Sequence, residues 1–243
     1  MVRSTTMAQD KKNLPSQSSR SEVDAFLRKA AAVPARKADQ RRGRLIFAMD
    51  ATASREPSWD RACKLQGEMF QETASLGGLE IQLCWYRGFG EFHADRWTHD
   101  TDTLLRHMTG VHCLGGTTQI GKVLGHAVTE ARRGKVDALV FVGDCMEEDV
   151  DRLCRIAGEL GLLGTPAFLF QEGQDPIASK AFAQIARLSG GAHCRFDAGS
   201  ARQLRDLLSA VAVYAAGGRR ALEDFGRKRG GSVPLLTRQL GKR

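Results

Sequence analysis

The chain has 243 residues, 42% of them hydrophobic, and a formal net charge of +8. That length buries one substantial core, so one domain with tails is the simplest organisation. No apolar run approaches the ~18 residues that a membrane span needs, and residues 1–20 lack the apolar stretch of a secretory signal.

Residues 1–43 read as a disordered basic tail carrying one short helix. Ser, Gln, Lys and Thr dominate residues 1–20. Ser21 caps a helix striped by Val23, Phe26, Leu27 and Ala30, and Pro34 ends it. Residues 1–45 hold 11 Lys/Arg against 4 Asp/Glu, residues 217–243 hold 8 against 2, and the middle holds 17 against 22. The basicity therefore belongs to solvated tails. The mildly acidic middle argues against nucleic acid as the main partner.

Residues 45–49, Leu-Ile-Phe-Ala-Met, have the length and composition of a strand buried on both faces. The run stops at Asp50, and Thr52 and Ser54 follow at alternate positions. One carboxylate and two hydroxyls on a tight turn are hard oxygen ligands, suited to Mg2+ or Mn2+ rather than zinc. In an open parallel sheet, ligands bind beyond the carboxyl ends of the strands, where this turn falls. Arg55, next along, reads as a solvated loop residue. Residues 57–76 follow as a helix with Ala62, Leu65, Met69 and Phe70 on one face, stopped by Gly77-Gly78. A strand over 79–86 alternates Ile81, Leu83 and Trp85. A turn at Arg87-Gly88-Phe89-Gly90 returns the chain as an antiparallel edge strand over 91–97. A short helix spans 100–108.

Gly115-Gly116-Thr117-Thr118-Gln119 reads as a mobile glycine loop presenting Thr117, with Thr118 as its alternative. Ile120, Val123, Leu124, Ala127, Val128 and Ala131 then mark one face of a helix. A strand over 136–143 ends at Asp144. A helix over 148–160 turns Val150, Leu153, Cys154 and Ala157 inward, and a strand spans 167–170. Asp175-Pro176 caps and opens a helix to residue 188. A strand at 192–196 and a helix at 201–216 complete the core, the latter through Leu204, Leu207, Leu208, Val211 and Tyr214. Residues 217–243 form a basic tail.

Strands alternating with helices predict an α/β fold: a doubly wound, mostly parallel sheet with one antiparallel edge strand and helices on both faces. Cys63, Cys84, Cys113, Cys145, Cys154 and Cys194 show no Cys-x-x-Cys spacing and read as buried, reduced thiols of a cytosolic protein. His93, His99, His107, His126 and His193 lack ligand spacing, and His112 reads as structural.

Asp50, Thr52 and Ser54, a Thr before a later helix (Thr117) and an Asp after the fourth strand (Asp144) form an ordered set. In that set and in fold order over residues 44–216, the chain resembles the von Willebrand factor type A family with its metal-ion-dependent adhesion site. The resemblance implies that the hydroxyls of Thr52 and Ser54, and Thr117, coordinate Mg2+, with Mn2+ as a substitute. Asp50 and Asp144 would contribute directly or through water, and an open coordination position would accept a carboxylate from a partner protein. Cys145 departs from the family pattern, where Gly is commoner. Glu147 and Glu148 add acidity or cap the next helix.

The implied function is a non-enzymatic, cytoplasmic, metal-dependent interaction module that binds an acidic partner residue. Resemblance to cytoplasmic members implies service in a multiprotein assembly, beside an AAA+ ATPase or a chaperone-like component. The alternative is a Mg2+-dependent phosphohydrolase-type enzyme with Asp50 as nucleophile. Such enzymes carry a second Asp two residues on, where this chain has Thr52. No Gly-x-Gly-x-x-Gly follows Met49, which removes a dinucleotide-binding dehydrogenase.

Overall fold

The computed structural model describes residues 42–56, 79–196, 209–215, 221 and 224. The two tails, the helix expected over 57–76 with its Cys63, and the start of the helix expected over 201–216 lie outside the described residues.

The first strand, β1 (Gly43–Asp50), leads into a single 3-10 turn, Ala53–Arg55. β2 (Leu79–Arg87) and β3 (Glu91–Ala94) follow, then helices α1 (Thr101–Thr109) and α2 (Ile120–Arg133). The rest alternates strictly: β4 (Ala138–Gly143), α3 (Val150–Leu162), β5 (Ala167–Glu172), α4 (Pro176–Ser189) and β6 (Ala192–Phe196). The sheet order is β3-β2-β1-β4-β5-β6, and only the β2–β3 pair is antiparallel. This is the doubly wound sheet that the sequence predicts. The edge strand is shorter than expected, ending at Ala94 rather than Trp97. Beyond it the Trp97 ring leaves the ladder, donates from Nε1 to Glu130 at 2.7 Å, and lies 3.9 Å under the Arg44 guanidinium.

β1 shows why an unbroken apolar run still carries a period of two. Leu45, Phe47 and Met49 enter one core with Leu104 and Met108 of α1 and residues 210–215. Ile46 and Ala48 enter the other, against α2, α3 and α4. Both faces are covered, so every position in the strand is apolar. The second core centres on Phe141, with Tyr86 stacked at 6.2 Å and Phe182 edge-on at 5.6 Å. All three rings are buried, and truncating such a ring to Ala costs ~3–5 kcal/mol.

Helix ends explain the small shifts from the sequence reading. Asp149, not Glu148, caps α3 by accepting from Arg152 N at 2.8 Å. Asp175 accepts from Ala178 N with Pro176 in the first turn, as its spacing predicts. Gly190 closes α4 at φ 76, a left-handed conformation that glycine adopts without strain. Among the described residues no helix is long and apolar enough to cross a membrane.

β1 and β4 are neighbours, and the chain winds away from them in opposite directions. The turns that leave their carboxyl ends therefore face a common crevice. Those turns carry Asp50 and Asp144.

Candidate metal centre

Asp50 is fully buried at the last position of β1. Its Oδ1 accepts from Thr52 N at 2.8 Å, a tight Asx-type turn, and its Oδ2 accepts from Tyr86 Oη at 2.9 Å. Burial pushes the Asp50 carboxyl above its ordinary range, and the charge of Asp144 pushes the same way. The bonds from Thr52 and Tyr86 pull it back. Thr52 is buried, Ser54 is exposed, and their hydroxyl oxygens lie 3.1 Å apart.

Asp144 follows β4 directly. Its Oδ1 is buried and has no hydrogen-bond partner. One ligand atom each from Asp50, Asp144 and Cys145 falls within 4.8 Å of the others. Burial pushes the Cys145 thiol up to about 12, helped by Asp144 and Asp50. It therefore stays a neutral thiol and a poor ligand for a hard cation. The donor set that remains is oxygen: two carboxylates and two adjacent hydroxyls. An orphaned buried carboxylate oxygen facing a second carboxylate fits a small divalent cation.

The glycine loop stands beside this cluster. Leu114 N donates to Ala51 O at 3.0 Å, and Leu114 forms an isolated bridge with Thr52. The expected mobile loop is in fact pinned. Gly116 lies so close to the β2–β3 turn that an added Cβ would sit 2.0 Å from Gly88 O. Thr117 N donates to Gly88 O at 3.2 Å, and Gln119 Nε2 donates to Arg87 O at 3.0 Å. Thr117 is exposed. Thr118 is buried, and its Oγ1 accepts from Glu147 N at 3.0 Å while its own N–H donates to Glu147 Oε2 at 3.1 Å. The two threonines thus divide the work expected of one: Thr118 fastens the loop and Thr117 stays open to solvent.

Glu148 caps a helix other than the next one. Its carboxylate accepts from Ile120 N and from Gly121 N, the latter at 2.9 Å, at the start of α2. Helix N-termini lack intrahelical acceptors for these donors. His112 is exposed, and its carbonyl rather than its ring is engaged, by Arg87 Nη1 at 2.8 Å.

Arg55 corrects the sequence reading. It is 1% exposed, not solvated, and its Nη1 forms an ion pair with Glu172 at the end of β5. Burial lowers its pKa, and the charges of Asp144 and Asp50 raise it. Nothing in the sequence around Arg55 distinguishes it from a surface arginine, because its partner lies on a strand more than a hundred residues away. Tyr86 was also missed; strand register alone sets it opposite Asp50.

No protein-family model matches the chain, and no curated protein matches it. Solved structures do. The VWA domain of SpRpn10 superposes with a TM-score of 0.54 at 12% identity, covering 74% of this chain and 98% of that one. A von Willebrand factor type A protein from Catenulispora acidiphila superposes at 0.54 and 14% identity, over 70% of this chain and 43% of that one. The chain has the von Willebrand factor type A fold. A further protein that superposes with this fold is manganese-loaded Plasmodium vivax TRAP, at 0.54 and 14% identity, covering 72% and 76% of the two chains. Within the fold, the Asp50–Asp144 cluster lies at the carboxyl ends of the two central strands.

Proposed function

We propose that this von Willebrand factor type A domain is a non-enzymatic, cytoplasmic interaction module that captures an acidic side chain of a partner protein through Mg2+, or Mn2+ in its place. The observation that carries the reading is the buried Asp144 Oδ1, which has no hydrogen-bond partner, next to Asp50. Asp50, Thr52, Ser54, Thr117 and Asp144 would hold the ion. A bound ion would supply an electrophilic centre that seeks an anionic ligand, because the donor set carries few charges. The chain's own residues do the rest. Tyr86 and the Thr52 N–H orient Asp50, and the pinned glycine loop would present Thr117.

A binding role suits Asp50 better than a nucleophilic one. Its two oxygens accept from Thr52 N and Tyr86 Oη, and it has no exposed surface. A phosphohydrolase nucleophile must be reached by its substrate, whereas a small ion needs only a remaining lone pair on each oxygen. The cytoplasmic reading rests on six cysteines without Cys-x-x-Cys spacing, the five described ones being in no disulfide. An AAA+ ATPase or chaperone-like assembly is the partner class we favour, by analogy of fold.

Affinity capture with Mg2+ and with EDTA tests the reading, using wild type and Asp50→Ala. Partners retained only with metal, and only by wild type, support it. Equal capture by Asp50→Ala in EDTA refutes it. Asp50-dependent turnover of phosphate esters would establish the enzyme instead.

A further inference from the structure

Arg55 stands one residue beyond Ser54 and is buried, a rare place for a guanidinium. Its ion-pair partner Glu172 closes β5. In the sheet, β4 lies between β1 and β5. A side chain that leaves the β1 turn and reaches the end of β5 must cross the carboxyl end of β4, from which Asp144 departs. The guanidinium charge accordingly feels Asp144 first and Asp50 second.

Asp50 is buried, Asp144 is half-buried with its Oδ1 inside, and two carboxylates this close repel each other unless positive charge faces them. A buried arginine is equally costly unless negative charge faces it. Each is the other's remedy. Glu172 shares the guanidinium with the two aspartates, so three carboxylates face one arginine.

We infer that Arg55 is the resident counter-ion of the Asp50–Asp144 pair: it holds the two carboxylates together when no metal is bound, and it competes with a divalent cation for their charge. The second half rests on the metal reading proposed above; the first half does not. The domain then folds without metal and binds its cation more weakly than the same donor set would alone. A partner carboxylate is needed to complete tight binding.

The test uses the full chain with Arg55→Met, Asp144→Asn and the double variant. Thermal midpoints are measured in EDTA, and Mn2+ affinity is measured by the paramagnetic signal of the free ion. Arg55→Met should lower the midpoint in EDTA, and adding Asp144→Asn should restore part of it, a non-additive pair. Arg55→Met should bind Mn2+ about tenfold or more tightly than wild type, the order expected when a like charge leaves a partly screened site. Arg55→Lys keeps the charge and should keep the wild-type affinity. Arg55→Met that is unfolded in EDTA but recovered by Mn2+ or by Asp144→Asn supports the inference. Unfolding that neither recovers overturns it, as do strictly additive midpoints with unchanged Mn2+ affinity. Mn2+ binding with no Arg55–Asp144 coupling would sink the inference and leave the metal reading standing. Coupling in EDTA with no Mn2+ binding by any variant would sink the metal reading alone.

Discussion

Tyr86 Oη donates to Asp50 Oδ2 across 2.9 Å, from the residue directly opposite on the neighbouring strand. Both groups are fully buried, and burial holds the phenol well above its ordinary pKa, so it remains a donor. Tyr86→Phe keeps the ring against Phe141 and removes only that donor. It leaves a buried carboxylate oxygen without its partner, at a cost of about 1–3 kcal/mol. Urea unfolding in EDTA measures the loss; an unchanged midpoint would mean that water replaces the phenol.

Thr117 and Thr118 should separate cleanly. Thr118→Ala deprives Glu147 N of its acceptor and should cost about 0.5–1.5 kcal/mol in EDTA. Thr117→Ala, at an exposed position, should leave metal-free stability within about 0.5 kcal/mol. It should instead shrink the Mg2+-dependent shift in thermal midpoint. For wild type, a cation at 100 times its dissociation constant adds about 2.7 kcal/mol. A full shift in Thr117→Ala would remove Thr117 from the ligand set.

Gly116 and Gly115 make a matched pair. A Cβ on Gly116 would meet the Gly88 backbone at 2.0 Å, whereas nothing lies within 4 Å of one on Gly115. Gly116→Ala must push the loop off the β2–β3 turn and should cost about 1–3 kcal/mol. Gly115→Ala should be near neutral. Differential scanning calorimetry on the two variants compares them directly.

His126 carries a pH dependence whose sign is fixed. Its Nε2 lies 2.9 Å from Gln82 Oε1, and the Gln82 amide Nε2 donates to Asp95 O, so His126 Nε2 bears the proton. Burial lowers the His126 pKa below 6.5, and the charge of Glu130 only partly offsets it. The unfolded chain therefore takes up this proton first as pH falls. The stability from neutral His126 is fully present above 6.5 and is lost as pH drops through the folded value. Stability of His126→Gln should fall less than that of wild type over this window, read from urea midpoints at a series of pH values.

Periodicity and turn chemistry carried most of the fold. The stripe from Ile120 to Val128 lies buried on α2 as its spacing requires, and the apolar run after Arg44 fills the sheet centre. The site was legible where it is local in sequence: Asp50, Thr52 and Ser54 are one turn. Asp144 was legible because a buried strand ends there. What escaped depends on register and crossing. Tyr86 meets Asp50 only because β1 and β2 pair in parallel, and Arg55 meets Glu172 only because β5 lies two strands from β1. Glu148 caps α2 because a loop folds back from β4, and no sequence window contains both partners.

The central pairing of β1 with β4 also has a consequence in time. Arg44 N donates to Asp137 Oδ2 at the mouth of that pair, and the two residues are 93 positions apart. At about 5–20 residues per second of synthesis, β1 waits ~5–20 s for its second neighbour. Until then β3, β2 and β1 can form only half a sheet, with the most apolar strand at its open edge. Such an edge is a template for pairing with another chain. A nascent polypeptide halted before Ala138 should therefore be sticky, and release of a soluble product depends on finishing β4 before that edge finds a stranger.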